Sequence, residues 1–364
     1  MRLLCDRQEL TEAFSVVAGI APQKSTKPVL QNVKLRADDA GLTMFATDLQ
    51  MSAKVVVEAV KVEAAGEMLL PAREMMALLR ELGDPTLTLK AADHRCTIEC
   101  GGGSFVLLGG DPDEFPAEAK LDAGRSLRLP AGRVADMMRK TVFAATREES
   151  RYAVSGVLWD VQQSCLRLVA TDGRRLAFNY ENLEDVDGRM RAIQPLAAVN
   201  SVLKVLAEAD DQEVAVTFGE SQIGFTVGQN VLVSRTVDQN FPEYESVIPK
   251  VAETTVEVSR SLLESNVRKV SVLTGGDVRQ VRFTFSSSTL EMSAENSTVG
   301  RADVCIDVDV KGAGCTVAFN PDFVLDALRV ADSDVVRIDL TDESTPAKFT
   351  LGESFTYVLM PISG

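Results

Sequence analysis

Apolar side chains recur along this chain in two rhythms. From Arg7 to Ile20 they fall three and four residues apart, at Leu10, Phe14 and Val17, which gathers them on one face of an α-helix. The same rhythm returns from Ala131 to Ala145 and from Arg260 to Leu273. A second set of helical stretches runs from Ala72 to Leu82, Leu196 to Leu206 and Asp322 to Val330. Each follows a proline, Pro71, Pro195 or Pro321, a residue that suits a helix start because its missing N–H has no partner there anyway. Between the helices the pattern switches to strict alternation, as in Arg282-Phe283-Thr284-Phe285 and Thr254 to Val258, the mark of half-buried strands. Helices and strands alternate in blocks, so the fold class is α+β.

The order of the blocks repeats. Ala46-Thr47-Asp48, Ala170-Thr171-Asp172 and Ala294-Glu295-Asn296 each follow an alternating run (Gly41 to Phe45, Cys165 to Val169, Thr289 to Ser293), at intervals of 124 residues. The three prolines are spaced 124 and then 126 residues apart. Phe115-Pro116 and Phe241-Pro242 close the first two units, and Met360-Pro361 closes the third. Each unit therefore reads as helix, strands, helix, strands, and the chain as three copies of one domain. The boundaries fall near 120 and 250, giving domains 1–120, 121–250 and 251–364, with Glu118 to Arg125 and Pro249 to Glu253 as linkers.

Composition narrows the function. Hydrophobic residues make up 45% and charged residues 25% of the 364 positions, a globular profile without an apolar run long enough for a membrane span. The N-terminus meets charge at Arg2, which argues against a signal-peptide core and for the cytoplasm. Six cysteines fit reduced, mostly buried thiols; only Cys96 and Cys100 lie close, in a strand-like stretch without other ligand types. The one histidine, His94, sits in Ala-Ala-Asp-His-Arg, which reads as a turn between strands, so histidine-based catalysis or metal binding has little to build on. Gly101-Gly102-Gly103 lies between strands rather than before a helix and does not read as a phosphate cradle. Two other function classes are set aside on these grounds: an enzyme with its site between repeats, and a sequence-specific DNA regulator.

The net charge of −15 argues against a protein that coats nucleic acid with Lys and Arg. The charge is uneven, however. With their flanking residues (6–20, 71–82, 130–146, 195–209, 259–273 and 320–331), the six helical spans hold 11 basic and 10 acidic residues, so the strands and loops carry the acidity. If all six helices faced one surface, that surface would repel a polyanion least.

The longest specific motifs are Leu168-Val169-Ala170-Thr171-Asp172-Gly173-Arg174-Arg175-Leu176-Ala177, Asn240-Phe241-Pro242-Glu243-Tyr244 and Tyr357-Val358-Leu359-Met360-Pro361. With the threefold repeat, they make the chain resemble, over its whole length, the beta subunit of bacterial DNA polymerase III, the sliding clamp. The resemblance implies three DNA-clamp domains per chain and a head-to-tail dimeric ring with helices lining the pore and sheets outside. It implies a non-catalytic role in DNA replication, without metal, cofactor or membrane. Duplex DNA would be encircled regardless of sequence. Polymerase, clamp loader and other partners would dock through short Leu/Phe-bearing peptides.

Residue by residue, the resemblance implies a peptide-binding cleft from Val154, Thr171, Gly173, Arg174, Arg175, Leu176, Pro242, Val247, Pro346, Val358, Met360, Pro361 and Ile362. Met360 and Leu176 would floor it, and Arg175 and Thr171 would hold the peptide backbone. DNA contacts would come from Lys24, Arg73, Arg80, Arg139, Lys140, Lys204, Arg268 and Lys269. The dimer interface would join Phe105 and Leu107 to the partner's Val272 and Leu273. The chain departs from the family at Glu148, where Gln is common before Arg151, at Arg174, which replaces a frequent His, and at Ala153, where a larger residue often sits. Asn296 to Arg301 replaces an acidic run of some relatives.

Overall fold

The computed structural model describes residues 1–146, 154–184, 186, 188–207, 209–275 and 279–362. Six helices fall where the apolar periodicity puts them: α1 (Arg7–Ala18), α2 (Ala72–Glu81), α3 (Ala131–Val142), α4 (Leu196–Ala207), α5 (Arg260–Ser271) and α6 (Pro321–Arg329). Asp6 caps α1 by accepting from the amides of Gln8 and Glu9, and Asn320 caps α6 by accepting from Asp322. The helices α1, α3 and α5 stop two or three residues short of the predicted ends. There the backbone tightens into three-residue steps, as in Ile20 N to Val17 O, Ala145 N to Val142 O and Leu273 N to Val270 O, which satisfy the terminal carbonyls. Five of the six helices carry a cation in the last turn, where it meets the negative end of the helix dipole.

The described residues form two compact units, 1–135 with 197–236 and 136–196 with 237–364. In unit 1 a five-stranded sheet runs Val60–Ala64, Arg2–Asp6, Thr86–Ala92, Arg95–Cys100, Gly103–Leu108. Its eight-stranded sheet runs Arg125–Pro130, Glu213–Phe218, Gln222–Val227, Asn230–Arg235, Met51–Val57, Gly41–Thr47, Asn32–Asp38, Gly66–Pro71. In unit 2 a nine-stranded sheet runs Met190–Pro195, Gly156–Gln162, Cys165–Thr171, Arg175–Asn182, Phe355–Leu359, Ala347–Thr350, Val335–Leu340, Thr254–Ser259, Asp309–Gly312. Its four-stranded sheet runs Gly300–Asp307, Thr289–Asn296, Val281–Phe285, Cys315–Phe319. Among the described residues all strand pairings are antiparallel. The division runs through the second repeat because the large sheets are continuous across repeats: Leu232 pairs with Ala53 in unit 1, and Leu176 with Val358 in unit 2.

The turns follow local chemistry. Asp93 and His94 both take positive φ, the requirement of the tight hairpin turn that matches strand twist, so His94 is a turn residue as expected. The Ala-Thr-Asp landmark proves to be a hairpin device. Thr47 Oγ1 donates to Met51 O while Asp48 accepts from the amides of Gln50 and Met51. Thr171 and Asp172 do the same with Arg175 O and the amides of Arg174 and Arg175. In the third repeat Asn296 accepts from Thr298. Among the described residues no helix is long and apolar enough to cross a membrane, and no group of three or more His, Cys, Asp or Glu is placed to hold a metal.

Burial, with Asp6 and Glu9 nearby, pushes the Cys5 thiol up to about 12, and burial also raises Cys96 to about 11. The folded state therefore keeps protons that the unfolded thiols release from roughly pH 8.5 upward. Stability is full below that pH and falls as pH rises through the range to about 12, because the native state binds more protons there. Cys5 and Cys96 are expected to resist a thiol reagent at pH 8 until the chain unfolds. Fast modification of either in the native protein, located by mass spectrometry, would contradict their placement.

Candidate functional site

An apolar opening in unit 2 lies where strands of two repeats meet. The hairpin after Thr171 turns at Gly173, whose φ of 82° suits a residue without a Cβ. Strand Arg175–Asn182 then pairs with Phe355–Leu359, placing Leu176 beside Val358. The amide of Met360 donates to Arg174 O at 2.9 Å and carries the row one residue further. Pro242 and a 3-10 turn, Tyr244–Val247, form the opposite wall. Together these residues enclose about 160 Å³ lined by Thr171, Gly173, Arg175, Leu176, Pro242, Glu243, Tyr244, Val247, Val358 and Met360. Beneath it Leu158, Val169, Phe241 and Tyr244 pack as one buried cluster. Met360 and Val247 remain 43% and 48% exposed, so a ligand reaching the cleft meets apolar surface that already stands in water.

Eight of the residues expected at a cleft come together here: Thr171, Gly173, Arg175, Leu176, Pro242, Val247, Val358 and Met360. Val154 lies behind the wall, 3% exposed, in the cluster below. Arg174 contributes a backbone carbonyl to Met360 while its side chain is exposed. Pro346, Pro361 and Ile362 do not line the space; the amide of Ile362 is bonded to Ala318 O. Sequence reasoning missed Glu243 and Tyr244, although both stand in the Asn-Phe-Pro-Glu-Tyr motif. Burial pushes the Tyr244 phenol up, against the pull of Arg167; its hydroxyl lies 3.4 Å from Asp160, which is itself held by Arg189 at 3.0 Å. Glu148, Arg151 and Ala153 lie outside the described residues.

Two expectations about donors are corrected. The Arg175 guanidinium is committed inside the protein: Nε donates to Asp172 at 3.0 Å, Nη1 to Asp326 at 2.9 Å and Nη2 to Phe143 O at 2.7 Å. It stacks 4.2 Å from the Phe323 ring centroid and 5.5 Å from that of Phe143. Thr171 Oγ1 is likewise engaged, donating to Arg175 O and accepting from the Gly173 amide. These side chains shape the wall with those groups already engaged inside the protein. Tyr357 completes the lock: burial pushes its phenol up, and its hydroxyl donates to Phe323 O.

The expected DNA-facing cations divide. Arg73, Arg80 and Lys204 line one open hollow of about 650 Å³ in unit 1, and Lys24 is exposed in the loop after α1. Arg139 is exposed on α3. Arg268 pairs with Glu264, and Lys269 donates to Asn266 at 3.2 Å, while both stay exposed. Lys140 is corrected: it is 2% exposed, and its ammonium is held by Asp136 at 2.6 Å and by Asp332. A side chain so enclosed cannot meet a phosphate. Of the expected interface residues, Phe105 and Val272 are exposed, while Leu107 and Leu273 are half-buried.

Replacing Arg175 with Ala strands two carboxylates in a largely buried setting and is expected to cost unit 2 about 3 kcal/mol. Lysine should restore only part of this, because it lacks the planar fork that reaches three acceptors. The lone tryptophan, Trp159, is fully buried in unit 2 and reports the urea transition directly. An unchanged midpoint in Arg175→Ala would show that the lock contributes nothing.

The fold has relatives among known proteins. Family models match in tandem: the DNA polymerase III beta subunit N-terminal domain over residues 1–119, its central domain over 128–243 and its C-terminal domain over 245–363. The beta sliding clamp of Chlamydia trachomatis is 30% identical over 364 residues, covering 100% of this chain and 87% of that one. That of Pseudomonas aeruginosa is 28% identical, with full coverage of both. Among solved structures, the sliding clamp of Bartonella birtlesii bound to griselimycin superposes with a TM-score of 0.93 at 29% identity, covering 100% of both chains. Three clamp domains thus account for the whole of this chain, and it belongs to the DNA polymerase III beta subunit family.

Proposed function

We propose that the chain is a sliding clamp, a non-catalytic processivity factor that encircles duplex DNA and tethers the replicative polymerase. The observation that carries this is the tandem of three clamp domains filling the chain. Domain limits of 1–120, 121–250 and 251–364 fit the linkers, since residues 118–124 and 249–253 precede the strands Arg125–Pro130 and Thr254–Ser259. The chain acts in the cytoplasm as a homodimer. Each unit offers a free sheet edge, Gly103–Leu108 in one and Gly300–Asp307 in the other. Phe105 and Leu107 on the first edge would meet the partner's Val272 and Leu273, and pairing the edges head to tail closes a ring of two chains.

DNA is then held by enclosure. With a net charge of −15, a surface grip would be weak, while Lys24, Arg73, Arg80, Arg139, Lys204, Arg268 and Lys269 supply enough local cation to steady a duplex without reading its sequence. The cleft takes the Leu or Phe anchor of a partner peptide against Leu176, Val358 and Met360, with Val247 and Pro242 as the facing wall. A small apolar site suits successive exchange of polymerase, loader and other partners, because a few buried anchors supply most of the affinity.

Light scattering should give the mass of two chains, with a ring in images; a monomer at micromolar concentration would refute the assembly. Loaded protein should survive a salt wash on a nicked circle and run off once the circle is cut, because enclosure does not weaken with screening. Retention on open linear DNA would count against enclosure. Met360→Asp places a charge on the apolar floor and should weaken a Leu/Phe peptide by roughly 2 kcal/mol, leaving the dimer mass unchanged. Equal affinity in an intact mutant dimer would place the peptide elsewhere.

A further inference from the structure

The internal repeat builds a second groove on unit 1 at the position the cleft holds on unit 2. Strand register sets Lys34, Phe45, Lys54, Val231 and Thr226 in one cross-strand row. Its counterpart in unit 2 is Leu158, Val169, Phe178 and Thr356. Lys34, Phe45 and Lys54 precede Leu158, Val169 and Phe178 by the repeat interval of 124. In the next row Ser52 pairs with Val233 as Leu176 pairs with Val358. Phe115-Pro116 stands where Phe241-Pro242 stands in unit 2.

The architecture is shared, but the chemistry has changed. Two of the three repeat-related apolar positions are lysines here, and Arg36 replaces Asp160. Two adjoining hollows of about 370 and 300 Å³ open over this row, with Lys34, Arg36, Lys54 and Lys120 on their walls. Lys34 pairs with Glu67 at 2.8 Å, and Arg36 lies 3.5 Å from Asp38 and 3.9 Å from Glu118. Lys54 and Lys120 have no ion-pair partner among the described residues. Four cations on one face stand out in a chain of net charge −15. Phe45 and Phe115 meet edge to face at 5.8 Å beneath the row, and Val231 beside them stays partly exposed as apolar surface.

We infer that this groove binds an acidic peptide segment bearing one aliphatic or aromatic anchor. The chain supplies a precedent for such an occupant. Its own linker lines the groove, with Glu118 beside Arg36 and Leu121 against Gly224. A Cβ on Gly224 would come within 2.4 Å of Leu121, so the glycine makes room for an apolar anchor. The open volume beside the linker repeats that chemistry at larger scale. Single-stranded nucleic acid would need exposed rings to stack on, and Phe45 and Phe115 are only 3% and 6% exposed.

The inference stands on strand register and charge, independent of what the unit 2 cleft binds. The test uses the full-length protein and a fluorescein-labelled nonapeptide of Asp and Glu with one central Phe, followed by anisotropy. Binding is expected to fall about tenfold between low and physiological salt, as screening shortens the reach of the four cations. Lys54→Glu with Lys120→Glu should weaken it at least tenfold, and Lys54→Gln with Lys120→Gln by a smaller factor, with thermal melts by circular dichroism unchanged. Met360→Asp should leave it intact, and an unlabelled Leu/Phe clamp peptide should not displace it. Affinity unchanged in both double variants, displacement by the clamp peptide, or binding of a single-stranded oligonucleotide in place of the acidic probe would each overturn the proposal.

Discussion

A backbone ladder that crosses repeat boundaries underlies this structure. Asn230–Arg235 of the second repeat pairs with Met51–Val57 of the first, and Phe355–Leu359 of the third pairs with Arg175–Asn182 of the second. Each pairing supplies partners to a strand that would otherwise end a sheet with unsatisfied amides and carbonyls. It also brings together side chains distant in sequence. Leu176 and Val358 are neighbours only because of it, and so are Lys54 and Val231. Each groove described above is the product of one such ladder, and the two differ in the side chains projected from it.

Buried charge then fixes what the ladder leaves loose. Arg175 reaches from the cleft wall to Asp326 on α6 and to the carbonyl of Phe143 just past α3, between two aromatic rings. Lys140 joins Asp136 on its own helix to Asp332 beyond α6. A charge removed from water is tolerated only when its hydrogen-bonding capacity is met, so these residues restrict the arrangement of second-repeat and third-repeat elements inside unit 2.

Much of this was legible beforehand, for identifiable reasons. Helices with three- and four-residue apolar spacing were placed to within a few residues, because burial of one face dominates their placement. The repeat was visible because Thr-Asp turns and helix-initiating prolines are local devices that recur with the fold. The cleft's apolar members were found through motifs, with Leu176, Val358 and Met360 all present at its wall. Side-chain direction was not legible. Lys140 and Arg139 are adjacent on α3, yet one is enclosed and the other exposed, since successive helical residues point about 100° apart. Arg175 read as a donor for a ligand because its three acceptors, Asp172, Asp326 and Phe143 O, lie up to 151 residues away. Tyr244 was overlooked for the same reason: its partners Asp160 and Arg167 come from other strands.

Gly103–Leu108 and Gly300–Asp307 each end a sheet, and in the proposed assembly they would give the chain a valence of two, like a bifunctional monomer in polymer chemistry. Such a monomer has two fates. If successive copies are related by a half-turn, the second bond consumes the last free end and growth stops at two. If the rotation differs, every addition leaves a new end and the product is a filament. In the proposed ring, particle size is therefore decided by a rotation and not by the strength of either contact. Substitutions at either edge would act on particle size before they acted on any ligand.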